Sequence, residues 1–155
     1  MLKQLFPTTK ITGIDIDTKI IKIALKPIKK TNTDISICKY DGGKLPFEDN
    51  HFNKIICCLV FCNLTINEKK NYLNEIYRIL QMGGNFYICD FGYEKNKTKR
   101  VVFKLIRGLT PLRSLLDESE VQFYDLMKNS SFKHIKYIDS VKTITGTLYY
   151  YTSIK

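Results

Sequence analysis

Two aspartates and one asparagine follow strand-like segments, and their side chains have the chemistry to bind a nucleoside. Asp15 ends a short run rich in β-branched residues, Asp41 follows the next such run, and Asn63 follows an apolar run. A carboxylate at a strand end can accept hydrogen bonds from both hydroxyls of a ribose. Each aspartate alone has a plainer interpretation, as a helix cap or an Asx turn. Because parallel strands end at one edge of a sheet, the three side chains together predict a nucleoside-binding edge.

The elements that carry these residues alternate between strands and helices. Strands are predicted at 11–16, 35–40, 55–62, 85–91, 133–139 and 147–154. Helices are predicted over 2–6, from a cap at Thr18 to a stop at Pro27, from a cap at Asn67 to Gly83-Gly84, over 101–109, and from a capping box at Ser119 and Gln122 to about Ser130. This order predicts an α/β fold with a mostly parallel sheet, a C-terminal antiparallel strand pair and helices on both faces.

The length and composition predict one globular domain over residues 1–155. No apolar run approaches the roughly 20 residues that span a bilayer, so no transmembrane helix is expected. The first residues are too poor in apolar side chains for a signal peptide, and a cytoplasmic location is the default expectation. The net charge of +10 comes mostly from lysines spread along the chain. Scattered solvation explains that charge better than a nucleic-acid site, which would favour clustered arginines.

The five cysteines predict reduced, buried thiols rather than disulfides. Their number is odd, and they lie in apolar, strand-like segments: 38, 57, 58, 62 and 89. A zinc or arsenic-thiolate site through Cys58 and Cys62 stays open as an alternative, although no pair has Cys-x-x-Cys spacing. No metal site is therefore predicted. His51 and His134 are expected to be surface residues.

Four segments together resemble the class I S-adenosylmethionine-dependent methyltransferases, and most closely the methyltransferase type 11 group that includes the ubiquinone/menaquinone C-methyltransferases. They are G-I-D-I-D (13–17), D-G-G-K-L-P-F-E-D-N-H-F (41–52), L-N-E-I-Y-R-I-L-Q-M-G-G (73–84) and F-Y-I-C-D-F (86–91). The resemblance covers nearly the whole chain. It implies a Rossmann-like sheet, S-adenosylmethionine as cofactor, and methyl transfer to a small-molecule acceptor.

The resemblance also implies roles for individual residues. Asp15 would bind the ribose hydroxyls and Ile16 would lie against the adenine ring. Asp41 would accept the adenine amino group, and the backbone of Gly42 would follow the ring edge. The segment Phe61–Asn63 would border the methionine portion and the methyl-transfer cleft. No catalytic base is implied; residues near Asn63, Asp90 and the segment 93–116 would orient the acceptor.

The chain departs from the family pattern at its start. The family's first strand carries a glycine-rich loop of the type D-x-G-x-G-x-G, whereas the first glycine of this sequence is Gly13. An incomplete sheet is therefore expected, with three outcomes: the neighbouring strands pair directly, a partner chain or second copy supplies a strand, or the chain folds poorly. The alternative function is that of a non-catalytic methyltransferase-like remnant or partner subunit that no longer binds the cofactor.

Overall fold

The computed structural model describes residues 2–92, 123–144 and 146–155. The elements in chain order are α1 (Leu2–Leu5), β1 (Ile11–Asp15), α2 (Thr18–Thr31), β2 (Ile35–Lys39), β3 (Phe52–Cys58), a 3-10 turn (Phe61–Asn63), α3 (Ile66–Ile79), β4 (Leu80–Phe91), α4 (Phe123–Lys128), β5 (Lys133–Thr143) and β6 (Gly146–Ile154). The predicted helix over 101–109 and the predicted capping box at Ser119 and Gln122 lie outside the described residues. Within the described ranges, no helix is both long and apolar enough to cross a membrane. The chain divides into two compact units, 1–46 and 47–155.

The smaller unit is built on two parallel strands joined by α2. β1 and β2 pair in register from Ile11 opposite Ile35 to Asp15 opposite Lys39. The cap of α2 is Asp17 rather than the predicted Thr18, because the side chain of Asp17 accepts a hydrogen bond of 2.7 Å from the backbone N–H of Lys19. The predicted stop of this helix at Pro27 is wrong, since α2 continues to Thr31. Pro27 is exposed, so water can hydrate the carbonyl that loses its helical donor.

The larger unit holds a four-stranded mixed sheet in the order β3-β4-β6-β5. β3 pairs with β4 in parallel, whereas β6 runs antiparallel to both β4 and β5. The predicted strand over 55–62 ends earlier, at Cys58. Leu59 then takes a left-handed conformation with φ of 57°, which turns the chain out of the sheet and into the 3-10 turn at Phe61–Asn63.

Helix α3 packs an apolar stripe of Leu73, Ile76 and Ile79 into the core of this unit. Its cap is Thr65 rather than the predicted Asn67. The Glu68 carboxylate accepts a 2.8 Å hydrogen bond from the Thr65 N–H, while the Thr65 hydroxyl accepts from the Glu68 N–H, forming a capping box.

The predicted helix end at Gly83-Gly84 is wrong as well. The chain passes from Ile79 directly into β4 at the fully buried Leu80, whose N–H still bonds to the carbonyl of Ile76. Both glycines lie inside β4, and Gly83 has a φ of +74°. A Cβ on Gly84 would lie 2.8 Å from the carbonyl oxygen of Gln81, so a glycine is required at that bend.

Among the described residues of the larger unit, one carboxyl group is buried, that of Asp90, which is 5% exposed. Its Oδ1 accepts hydrogen bonds from the N–H of Phe91 at 2.8 Å and from the N–H of Cys62 at 3.2 Å. Its Oδ2 has no hydrogen-bond partner among the described residues. Burial raises the pKa of Asp90 above its ordinary value of 3.8, since an apolar environment disfavours the charged form.

We expect Thr65→Ala to lower the free energy of unfolding by about 1 kcal/mol, because α3 loses its side-chain cap. Urea denaturation followed by circular dichroism measures this change. Asn67→Ala is the matched control, since Asn67 is exposed and lies within α3; it should change the stability by less than about 0.5 kcal/mol. A larger loss for Asn67→Ala than for Thr65→Ala would show that the cap has been assigned to the wrong residue.

We also expect Asp90→Asn to raise the Tm at pH 7 by a few degrees, since each kcal/mol moves the Tm of a domain of this size by about 2–4 °C. The folded protein holds the Asp90 proton more tightly than the unfolded chain does. The cost of ionising this carboxyl is therefore absent below pH 3.8 and grows as the pH rises until it passes the folded-state pKa. The difference in Tm between variant and wild type, measured by calorimetry from pH 4 to pH 7, should accordingly shrink towards the acid end. A difference that grows on acidification would contradict the raised pKa.

Candidate functional site

Asp15 and Asp41 lie at the carboxyl ends of neighbouring parallel strands, as the sequence predicts. Asp15 pairs in register with Lys39, and its carbonyl accepts a 2.9 Å hydrogen bond from the N–H of Tyr40. The Oδ1 of Asp15 accepts from the N–H of Asp17 at 2.8 Å, which fixes the orientation of the carboxylate. Asp41 follows two residues after β2; its side chain is 80% exposed and lies 2.7 Å from the ammonium group of Lys39.

The surroundings of these two carboxylates fit the nucleoside half of S-adenosylmethionine. Ile16 is 65% exposed directly after Asp15 and offers an apolar surface for an adenine ring. Gly42 has a φ of +92°, and a Cβ placed on it would meet no atom within 4 Å. Its backbone is therefore open to close approach by a flat ligand. The roles of these four residues in binding stay predictions.

The turn Phe61–Asn63, in the larger unit, presents one polar side chain. Asn63 is exposed, and its Nδ2 donates a 3.0 Å hydrogen bond to the carbonyl of Leu59. Phe61 is only 1% exposed, because its ring packs edge-on against Phe123 with a centroid distance of 4.7 Å. Only the backbone of Phe61 could contact a cofactor, because its side chain is buried. The buried ring supports the turn through its packing against Phe123.

The carboxyl group of Asp90 links this turn to a cavity of about 60 Å³. Through the hydrogen bond from Cys62, it ties the turn to the end of β4. The cavity lies beside this end of the strand and is lined mainly by aromatic side chains: Ile88, Asp90, Phe91, Gly92, Phe123, Tyr149 and Tyr151. From the sequence alone, Tyr149 to Tyr151 are expected to pack within a strand, and nothing in the sequence indicates that Gly92 and Phe123 lie beside them. An acid near the end of an otherwise apolar strand was the available signal.

The thiols of Cys57 and Cys58 are not activated nucleophiles. Burial, followed by the neighbouring Asp90, raises the pKa of Cys57, and burial raises that of Cys58 beside Cys89. The prediction that all five cysteines are buried is wrong for Cys38 and Cys58, which are exposed. Within the described residues, no group of three or more His, Cys, Asp or Glu side chains could hold a metal ion.

The conspicuous Arg78 of the third segment has a structural role. Its guanidinium donates to Glu75 at 2.7 Å, to Asp49 at 2.8 Å and to the carbonyl of Phe47 at 2.8 Å. These hydrogen bonds, with Glu75 as the largest contributor, raise the pKa of Arg78. The side chain therefore fastens the loop before β3 to helix α3.

Comparison with known proteins identifies the fold and the family. The methyltransferase domain model matches residues 1–88 of the 155. The ubiquinone/menaquinone biosynthesis C-methyltransferase of Wigglesworthia glossinidia brevipalpis is 35% identical over 83 residues, which are 52% of this chain and 32% of that protein. The demethylmenaquinone methyltransferase of Thermus thermophilus is 29% identical over 91 residues, 59% of this chain and 40% of that protein. The chain thus spans about a third to a half of the curated relatives that it matches.

Two solved structures show the same fold at low identity. A SAM-dependent methyltransferase from Methanosarcina mazei superposes with a TM-score of 0.72 at 16% identity, over 99% of this chain and 85% of that one. A phosphoethanolamine N-methyltransferase from Haemonchus contortus, crystallised with S-adenosylhomocysteine, superposes with a TM-score of 0.76 at 12% identity, over 99% of this chain and 45% of that one. The methyltransferase domain model covers more than half of the 155 residues, and the chain therefore belongs to the methyltransferase domain family of S-adenosylmethionine-dependent enzymes.

Proposed function

We propose that this chain binds S-adenosylmethionine and takes part in methyl transfer to a small-molecule acceptor. The observation that carries the proposal is the placement of Asp15 and Asp41 after two strands that are parallel and in register. Asp15 would bind the ribose hydroxyls, and Asp41 the adenine amino group, with Ile16 and Gly42 against the ring. The names of two curated relatives, a ubiquinone/menaquinone biosynthesis C-methyltransferase and a demethylmenaquinone methyltransferase, support a small acceptor.

The proposed reaction does not require a conspicuous acid–base group. Methyl transfer from a sulfonium is an in-line displacement, for which alignment of the reacting atoms contributes about 7–11 kcal/mol. The sulfonium supplies the activated methyl group when the cofactor is bound. The part of the smaller unit would be to hold the nucleoside at the ends of β1 and β2. For the larger unit, the resemblance implies that the turn Phe61–Asn63 borders the methyl-transfer cleft.

We expect S-adenosylhomocysteine to bind the full chain, and Asp15→Asn and Asp41→Asn each to weaken that binding by about 10–100-fold. A hydrogen bond to a charged group contributes about 1.5–3 kcal/mol, and the amide keeps the shape of the carboxylate but loses its charge. Asp15→Asn also keeps an acceptor for the N–H of Asp17, so the turn before α2 stays intact. Isothermal titration calorimetry measures the three affinities.

The matched control is Asp34→Asn, the same change at an exposed aspartate that precedes β2 rather than follows it. This variant should bind with the wild-type affinity. Absence of heat with the wild-type chain at millimolar ligand would remove the claim of cofactor binding. Equal weakening by all three substitutions would point to a general effect of charge instead of two binding residues.

The second candidate function is that of a non-catalytic methyltransferase-like remnant or partner subunit, and the unpaired strand edges of the described residues favour it. A single domain over 1–155 and a cytoplasmic location stay predictions.

The unpaired strand edges indicate how a partner chain could bind. Among the described residues β1 pairs only with β2 and β3 only with β4, so each has one unpaired edge that can accept a further strand.

We expect the purified protein to form a complex through these edges, either with a second copy or with another chain that supplies a strand. Analytical ultracentrifugation should then show a mass above that of the 18.1 kDa monomer, increasing with concentration for a homodimer. A mass of one monomer at every concentration, together with purification free of any partner, would argue against strand donation by a second chain.

A further inference from the structure

The cavity beside Asp90 is a pocket with one polar wall. The aromatic rings of Phe123, Tyr149 and Tyr151 line it on its apolar side, and Tyr149 and Tyr151 stack with their centroids 6.2 Å apart. The pocket is close-packed at Gly92, where a Cβ would lie 2.4 Å from Cε2 of the Tyr149 ring. A glycine is therefore required at that wall.

Asp90 gives this pocket an unsatisfied hydrogen-bond acceptor. The side chain is 95% buried, and while Oδ1 accepts two backbone hydrogen bonds, Oδ2 accepts none from the described residues. A buried acceptor without a donor costs about 1–3 kcal/mol, and more when it is charged. A ligand group that donates a hydrogen bond here would recover that cost.

The position of the pocket relates it to the methyl-transfer cleft. The same carboxyl group holds the Cys62 N–H, and Phe123 packs on Phe61. Both contacts join the pocket wall to the turn at Phe61–Asn63, which is proposed to border the cleft. A group bound beside Asp90 would therefore lie next to that turn.

We propose that the Asp90 pocket binds the hydrogen-bond-donating group, a hydroxyl or an amine, of the small methyl acceptor. This inference rests on the proposed function for the word acceptor, although the pocket itself can be tested without the cofactor. A volume of about 60 Å³ accommodates the donor group and the few atoms next to it, while the rest of the acceptor stays outside. The rings suit either an aromatic carrier, by stacking, or an ammonium group, by cation–π attraction.

The test uses three probes on the isotope-labelled full chain, with binding followed by chemical-shift changes in NMR. Phenol offers a hydroxyl donor, methylammonium offers a cationic donor, and anisole has the ring of phenol with its donor replaced by a methoxy group. At least one donor probe should bind about tenfold more tightly than anisole, the equivalent of about 1.4 kcal/mol. Tighter binding of phenol identifies a hydroxyl group, and tighter binding of methylammonium identifies an amine.

Asp90→Asn should reduce that preference about tenfold, since a neutral amide replaces the carboxylate while an oxygen is kept for the Cys62 N–H. The control is Asp139→Asn, the same change at an exposed aspartate of β5 outside the lining of the pocket. It should leave the affinities unchanged. Equal affinity of anisole and both donors, no saturable binding up to roughly 50 mM, or an Asp90→Asn variant that binds like wild type would each overturn the proposal.

The outcome is separable from that of the proposed function. Donor binding that depends on Asp90, in a chain that gives no heat with S-adenosylhomocysteine, would leave the pocket assigned and reject the methyltransferase role. Binding of S-adenosylhomocysteine without donor preference would leave the role and reject the pocket.

Discussion

The parallel pairing of consecutive strands is the constraint on which the candidate site depends. β1 with β2, and β3 with β4, each end at a common edge of their sheet. A parallel pair needs a crossover connection, and α2 and α3 supply one in each unit. Side chains that follow the strands are thereby gathered without being adjacent in sequence. In one unit, Asp15 ends β1 and Asp41 follows β2 at the same edge of the strand pair. In the other unit, the turn after β3 is hydrogen-bonded to Asp90 near the end of β4.

The candidate residues differ in how far their side chains are exposed to solvent, and this difference determines what each can bind. Asp15 and Asp41 stay accessible to solvent and can exchange water for a ligand's hydroxyl and amino groups at little cost. Asp90 is buried, so ionising its carboxyl group costs free energy, and the hydrogen bonds that it accepts are stronger than they would be in water. The side chain of Phe61 is also enclosed, and its ring packs edge-on against Tyr72 and Phe123.

Sequence patterns predicted the described elements well where the signal was the periodicity of apolar residues or an acidic residue at a strand end. The strands at 11–16, 35–40 and 85–91, the apolar face of α3 and the aspartates at strand ends all follow from local residue types. The errors are at boundaries, where a local rule competes with packing. Pro27 is tolerated because it faces water, Thr65 caps α3 because Glu68 reciprocates, and Leu59 ends β3 through a backbone conformation that no leucine signals. The aromatic pocket brings together β4, α4 and β6, and such long-range proximity is not encoded in any one segment.

The carboxyl group of Asp90 belongs to two features of the structure. Its Oδ1 accepts a hydrogen bond from Cys62 in the turn, and the same side chain lines the pocket. A ligand that engages its second oxygen would change how firmly the first oxygen holds the turn. If a ligand in the pocket changes the affinity of a molecule bound at the turn by some factor, that molecule changes the affinity of the pocket for its ligand by the same factor. Binding at the pocket and binding at the turn would then be coupled even if the two ligands make no contact.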